Sequence, residues 1–256
     1  MIEQIQITVD WLSDEERNLT VYVPDRIEGK RRRRYPVLYM FDGQNVFFDE
    51  DATYGKSWGM FEYLNKRNFP LIVVGVDSSR NPDNTRLCEY SPYSFDDYQF
   101  GYIQGKGKTM LKWMVEELKP YIDKKYPTRK DRHNTWIGGS SMGGLMAYYA
   151  IVAHNDVFSR AACLSPSLWA GNQKLVNLTK RKKFDPDTTI FMSYGSEEAK
   201  GDFGKNARDS FWACVEKLIT KPLTLNIRKV QYASHCEACW EKQVPAFLNL
   251  LIKEDN

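Results

Sequence analysis

Apolar and polar residues alternate along Ile5 to Val9 and again along Leu19 to Val23, with a polar turn around Ser13 to Glu16 between them. Period-two alternation sets one face of a strand on a core and the other in water, so the two segments predict an antiparallel entry hairpin. The pattern then changes. Val37 to Phe41, Leu71 to Val76, Thr135 to Ile137, Ala161 to Leu164 and Thr189 to Tyr194 are short, nearly continuous apolar runs, which suit strands covered on both faces. Leu223 to Gln231 is the last predicted strand. Between the strands, Trp58 to Leu64, Met110 to Tyr126, Met142 to Val152, Ala207 to Ile219 and Val244 to Ile252 repeat apolar residues at helical spacing. The alternation of strand and helix predicts an α/β fold with a mostly parallel central sheet, an N-terminal antiparallel hairpin and helices on both faces. In such a fold reactive groups gather beyond the carboxyl ends of the strands. No linker, repeat or low-complexity tract divides residues 1–256, so a single domain is expected.

Composition agrees with a folded enzyme-sized domain. A hydrophobic fraction of 42% with 14% aromatics supplies a sizeable core. Lys and Arg number 36 against 33 Asp and Glu, and a formal charge of +3 is too small a bias to imply a nucleic-acid partner. The basic run Lys30 to Arg34 precedes an apolar strand and reads as a solvated loop. The first ten residues lack the basic-then-apolar order of a secretory signal, and no segment approaches the roughly 20 apolar residues that span a bilayer. The five cysteines, Cys88, Cys163, Cys214, Cys236 and Cys239, are odd in number and scattered, unlike a disulfide framework. A soluble protein of a reducing, cytoplasmic compartment is expected.

The most informative stretch is Trp136-Ile137-Gly138-Gly139-Ser140-Ser141-Met142-Gly143-Gly144, where a short apolar strand runs through G-x-S-x-G into a helix. A serine on so tight a strand-to-helix turn takes a strained backbone and needs neighbours without side chains. Gly139 and Gly143 provide that room. The helix beginning near Met142 aims its unpaired N–H groups at the point where a tetrahedral intermediate places its negative oxygen, which makes the Met142 N–H the first oxyanion donor. Ser140, the neighbouring hydroxyl, is expected to turn away from the pocket.

A serine hydroxyl is a weak nucleophile at neutral pH and needs an imidazole to take its proton. Three histidines are available. His133 precedes the nucleophile strand and so lies at the wrong end of the sheet, and His154 lies about 16 Å along the helix that follows Ser141. His235 follows the last predicted strand and fits the chain order serine, acid, histidine. The acid must lie between Ser141 and His235 beyond a strand end, and the loop after Thr189 to Tyr194 offers Glu197, Glu198 and Asp202. Chain order does not separate them.

Several segments together resemble the esterase family of α/β-hydrolases that includes enterochelin-type siderophore esterases, feruloyl esterases and acetylxylan esterases. They are Tyr39 to Phe47 (Y-M-F-D-G-Q-N-V-F), Arg86 to Tyr93 (R-L-C-E-Y-S-P-Y), Gly138 to Gly144, Leu164 to Trp169 (L-S-P-S-L-W), Gly195-Ser196-Glu197-Glu198, and His235 to Trp240 as H-x-E-x-x-W. The resemblance covers nearly the whole chain. It implies that the acid is the last residue of G-x-x-E, Glu198, with Asp202 second. It also implies that the turn Asp42-Gly43-Gln44-Asn45 supplies a second oxyanion N–H, from Gln44 or alternatively Asn45. One departure stands out: Tyr232-Ala233-Ser234 replaces the glycine-rich approach to the histidine.

The implied reaction is hydrolysis of a carboxylic ester through an acyl-enzyme on Ser141, without metal or organic cofactor. The expected partner is a small-molecule or oligosaccharide ester, with an acetyl or hydroxycinnamoyl group on a sugar favoured and a catecholate trilactone siderophore as the alternative. Acyl transfer to an alcohol uses the same residues. A non-catalytic binding protein needs no serine, acid and histidine in triad order. Trp58, Trp169 and Trp240 read as cleft walls or core aromatics, and Arg86 with Glu89 as a buried pair or as substrate contacts. Cys236 and Cys239 form a C-x-x-C that lacks the second pair of a zinc site, so coincidence is the favoured reading of the spacing.

Overall fold

The computed structural model of the chain describes residues 1–9, 11, 15–25, 33–79, 81, 85–97 and 100–252. Strands β1 (Ile2–Val9) and β2 (Glu15–Tyr22) form the antiparallel hairpin; of the turn expected over Ser13 to Glu16, Ser13 and Asp14 lie outside the described residues, as do Lys30, Arg31 and Arg32 of the basic run, while Glu15 and Glu16 already pair with β1. The hairpin joins a sheet through β2, antiparallel to β4 (Ile72–Val76). From β4 onward every pairing is parallel, through β3 (Val37–Phe41), β7 (Thr135–Ser140), β8 (Arg160–Leu164), β9 (Thr189–Gly195) and β10 (Thr224–Val230). The eight strands run in the order β1-β2-β4-β3-β7-β8-β9-β10. Two further strands of three residues each, β5 (Phe95–Asp97) and β6 (Gly101–Ile103), make a small separate antiparallel pair.

Alternate residues of the parallel strands feed two cores, as a period of two requires. Tyr39, Phe41, Val74, Ile137, Cys163 and Met192 join one cluster, with Met110, Leu111, Leu145, Leu175 and Phe211 from helices. Leu38, Met40, Val73, Trp136, Leu164 and Phe191 join the other, with Met60, Leu64, Phe247 and Leu251. The first face is therefore covered by α3 (Gly107–Trp113), α5 (Ser141–Ala153), α6 (Asn172–Arg181) and α7 (Gly201–Ile219), and the second by α1 (Met60–Lys66) and α9 (Val244–Leu251). This is the doubly covered, mostly parallel architecture of an α/β-hydrolase.

The predicted helix over Met110 to Tyr126 is interrupted. A π-helical stretch, Met114–Leu118, separates α3 from α4 (Lys119–Lys125). Pro120 has no N–H and its ring crowds the carbonyl one turn back, so the wider turn falls just where a regular helix would be obstructed. Among the described residues no helix is long and apolar enough to cross a membrane.

Candidate active site

Ser141 follows the last residue of β7 and begins α5 with φ of 56°, in the left-handed region that L-residues rarely adopt. The chain crosses itself tightly here. A Cβ added to Gly139 would sit 2.7 Å from the Gly143 carbonyl carbon and oxygen, and one on Gly143 would sit 2.9 Å from Asp42 Oδ2. Glycine at both positions is thus a steric condition of the turn. The Ser141 hydroxyl lies 3.5 Å from the Ser167 hydroxyl, and the Ser141 carbonyl accepts from the Ser167 N–H at 3.0 Å. Ser140, expected to turn away, is buried in extended conformation, yet it borders the same cleft.

Beyond β10 the chain returns over the sheet ends to His235, whose Nδ1 lies 3.2 Å from Glu198 Oε2. The Glu198 carboxylate is 5% exposed, and its other oxygen accepts from the Gly195 N–H and the Ser165 hydroxyl. Trp240 Nε1 donates to Ser165 Oγ at 2.9 Å while its ring stands edge-on to the imidazole at 5.0 Å. The imidazole is therefore held at one nitrogen and along one face. Asp202 and Glu197 are exposed and turned to other partners or to water, so of the three acids it is Glu198 that meets His235. Ser141 and His235 line one cleft but make no direct hydrogen bond with each other. His133 pairs with Asp187 behind the sheet, and His154 caps the far end of α5, where burial lowers its pKa.

The approach to His235 explains how the glycine-poor segment is accommodated. Tyr232 takes φ of 58° despite its side chain, which is 88% exposed. Its N–H donates to the Ser196 hydroxyl at 2.8 Å, and the Ala233 carbonyl accepts from the Glu197 N–H at 2.9 Å. These bonds hold the backbone where a glycine would otherwise relieve the left-handed turn.

Across the cleft, Asp42 (φ 57°) opens a short 3₁₀ turn, Gly43–Asn45. Gln44 is clamped reciprocally: its Nε2 donates to Ser78 Oγ and its Oε1 accepts from the Ser78 N–H, both at 3.1 Å. The Asp42 N–H donates to the Tyr90 hydroxyl at 3.1 Å, and its carboxylate is paired with Arg86. Burial pulls the Arg86 pKa down, but the Asp42 charge and hydrogen bonds outweigh it and the guanidinium stays firmly charged.

Of the two readings of Arg86 and Glu89, the mutual pair does not form, whereas Arg86 does line the cleft. Glu89 of the short helix α2 (Arg86–Glu89), fully buried, is paired instead with Arg17 of β2 at 2.5 Å, and Arg86 with Asp42, the residue after β3. Two aromatic expectations also change. Trp240 borders the cleft, but Trp58 is buried against Trp240 and Phe247, and Trp169 packs between Phe95 and Phe203. In both cases neighbouring rings surround the indole and supply its apolar contacts.

The cleft has a volume of about 840 Å³ and is lined in part by Gln44, Asn45, Thr53, Tyr54, Ser78 and Ser79. Glu237 also lines it, 7% exposed, 3.5 Å from Asn45 Nδ2. Desolvation, reinforced by the Asp42 charge, raises the Glu237 pKa. Sequence reasoning missed Glu237, Ser165 and Asp42 as site residues. Glu237 and Asp42 stood inside the motifs H-x-E-x-x-W and D-G-Q-N; Ser165 stood in L-S-P-S-L-W with no chemical signal of its own.

A serine at a strained elbow, an imidazole backed by a buried carboxylate and two N–H-bearing turns are parts of an acyl-transfer site. The family model described as "Putative esterase" matches residues 12–249. The chain belongs to this family. As a family member it is an esterase, and several relatives carry related names. It is 26% identical over 189 residues to the uncharacterized protein YbbA of Bacillus subtilis (strain 168), covering 72% of this chain and 70% of that one. It is 25% identical over 199 residues to the ferri-bacillibactin esterase BesA of the same organism, covering 69% and 65%. The siderophore enterobactin esterase of Emericella nidulans is 24% identical over 178 residues, covering 63% of this chain, which spans 57% of that protein. Among solved structures, the BES protein from Bacillus cereus superposes with a TM-score of 0.73 at 20% identity, covering 99% of this chain and 95% of that one. An IroE-like serine hydrolase from Shewanella oneidensis gives 0.74 at 19%, covering 98% and 79%. These structural likenesses establish the shared fold.

Proposed function

We propose that this esterase hydrolyses a carboxylic ester through an acyl-enzyme on Ser141, with His235 as general base and Glu198 as the acid that orients it. The observation that carries the reading is the convergence in one cleft of a serine at φ 56° and an imidazole whose Nδ1 meets a buried carboxylate at 3.2 Å. In the reaction, Ser141 Oγ swings from Ser167 toward His235 Nε2, gives up its proton there and attacks the ester carbonyl carbon. The oxyanion that forms is met by the Met142 and Gln44 N–H groups. Glu198 stabilises the imidazolium, which then protonates the departing alcohol. Water, deprotonated by the same nitrogen, releases the acid and restores Ser141.

The substrate class we favour is an acetyl or hydroxycinnamoyl ester of a carbohydrate. The supporting feature is the set of hydroxyl and amide side chains among the cleft's lining, Gln44, Asn45, Thr53, Ser78 and Ser79, which suits a polyol leaving group. A catecholate trilactone is the second reading, favoured by the siderophore-esterase relatives. Intact-protein mass spectrometry after a fluorophosphonate probe tests the nucleophile: the label is expected on Ser141, and its absence from folded protein would sink the catalytic reading. Initial rates on acetylated xylo-oligosaccharides, feruloyl sugars and catecholate trilactones rank the substrates. The highest kcat/KM on a sugar ester is expected; a higher value on the trilactone reverses the order. Product analysis with a competing alcohol separates hydrolysis from acyl transfer, with free acid expected to dominate.

A further inference from the structure

Cys236 and Cys239 bracket the turn after His235, and their thiols share a neighbour. The Ser234 hydroxyl lies 3.4 Å from the Cys236 sulfur and 3.6 Å from the Cys239 sulfur. Cys236 is in extended conformation immediately before helix α8 (Glu237–Glu241), and Cys239 is in that helix's first turn, so both sulfurs come to one side of the chain. The Cys239 N–H donates to the Cys236 carbonyl at 3.0 Å and closes the turn between the two residues. Burial pushes the Cys236 pKa up, but the neighbouring Ser234 hydroxyl and Cys239 outweigh burial and hold it below the ordinary thiol value. Both cysteines are half-exposed, and Cys236 borders the ester cleft.

The other cysteines are differently placed. Cys163 and Cys214 are buried and desolvation pushes their thiols up, that of Cys214 to about 12. Cys88 lies by Thr85 on a separate element. Among the described residues no group of three or more His, Cys, Asp or Glu side chains is arranged to hold a metal ion, so the pair lacks the further ligands a structural zinc takes.

We propose that Cys236 and Cys239 form a thiol–disulfide exchange site on the rim of the ester cleft, reacting with low-molecular-weight disulfides. The Cys236 thiolate attacks one sulfur of the small disulfide, whose S–S bond breaks; one thiolate leaves and takes a proton from water, and a mixed disulfide remains on Cys236. Cys239, its proton lost to solvent, then attacks the Cys236 sulfur and expels the second thiolate, which is protonated in turn. The protein dithiol loses two electrons and two protons, and the small disulfide gains both as two thiols. Ser141 takes no part, so the site stands apart from the ester chemistry.

The test uses the reduced full-length chain, glutathione disulfide as probe, and intact-mass and peptide mass spectrometry under native conditions. The expected result is loss of two hydrogens, a Cys236–Cys239 cross-link in the peptide map and unreacted Cys163 and Cys214, all reversed by dithiothreitol. Cys239→Ser is expected to stop at the first step, with a glutathione adduct on Cys236. Ser141→Ala is expected to exchange at the wild-type rate, which keeps the outcome separate from esterase activity. Retention of both wild-type thiols while Cys88 reacts, or a Cys236 left unmodified in folded Cys239→Ser and Cys239→Ala, would overturn the proposal.

Discussion

The Arg86 guanidinium grips the Asp42 carboxylate through two hydrogen bonds, Nε to Oδ1 at 2.6 Å and Nη2 to Oδ2 at 2.7 Å. Asp42 sits two residues before Gln44, at the left-handed start of the turn that carries the proposed second oxyanion donor. The paired fork therefore fixes that turn in orientation as well as position.

Arg86→Lys keeps the charge but loses the planar fork. Misplacing a transition-state donor by about an ångström costs on the order of a hundredfold, so kcat is expected to fall by that order with a smaller change in KM. Steady-state kinetics on one aryl ester checks this, and a near-wild-type kcat would put the Asp42 turn outside the transition state.

Glu198→Gln preserves shape at a buried position but removes the charge that stabilises the imidazolium. On the behaviour of serine triads, turnover is expected to fall by on the order of 10³- to 10⁴-fold. Unfolding curves should show the protein still folded. Activity close to wild type would move the acid's role to Asp202 or Glu197.

Glu237 carries a raised pKa, chiefly from desolvation. A carboxyl whose pKa is higher folded than unfolded holds its proton more tightly in the native state, so its contribution to stability is present at low pH and is lost as pH rises from the unfolded toward the folded value. Glu237→Gln removes that loss. Melting temperatures taken from about pH 4 to about pH 7 are expected to show the variant gaining on wild type as pH rises. A constant difference between the two would mean Glu237 titrates normally.

Much of the fold could be read from the chain, and the reasons are local. Val37–Phe41 is bounded as expected because both faces of that strand are buried and every residue is apolar. The helix Asn172–Arg181 escaped because it presents a narrow apolar stripe, Leu175, Val176 and Leu178, among polar residues. The antiparallel pair β5–β6 has strands of three residues, too short for a period to register. In the site, the elbow was legible since its glycines answer to the backbone alone. The partners of Arg86 and Glu89 were not: their i, i+3 spacing suggests a local pair, whereas Asp42 and Arg17 arrive from 44 and 72 residues away. Nor does residue type distinguish Trp58 in the core from Trp240 at the cleft, since only neighbours decide it.

The left-handed backbone of Ser141 also has a price in durability. Holding a side chain at φ 56° costs about 1–2 kcal/mol, a sum the fold would recover if catalysis were abandoned. Ser141→Gly is therefore expected to be inactive yet to melt higher than wild type, by a few degrees on the scaling for domains of this size, as differential scanning calorimetry would register. An unchanged or lower melting temperature would mean that the serine side chain contributes more to packing than its conformation takes away. The esterase thus keeps its reactive hydroxyl at the expense of thermal tolerance, and selection for heat resistance alone would favour losing it.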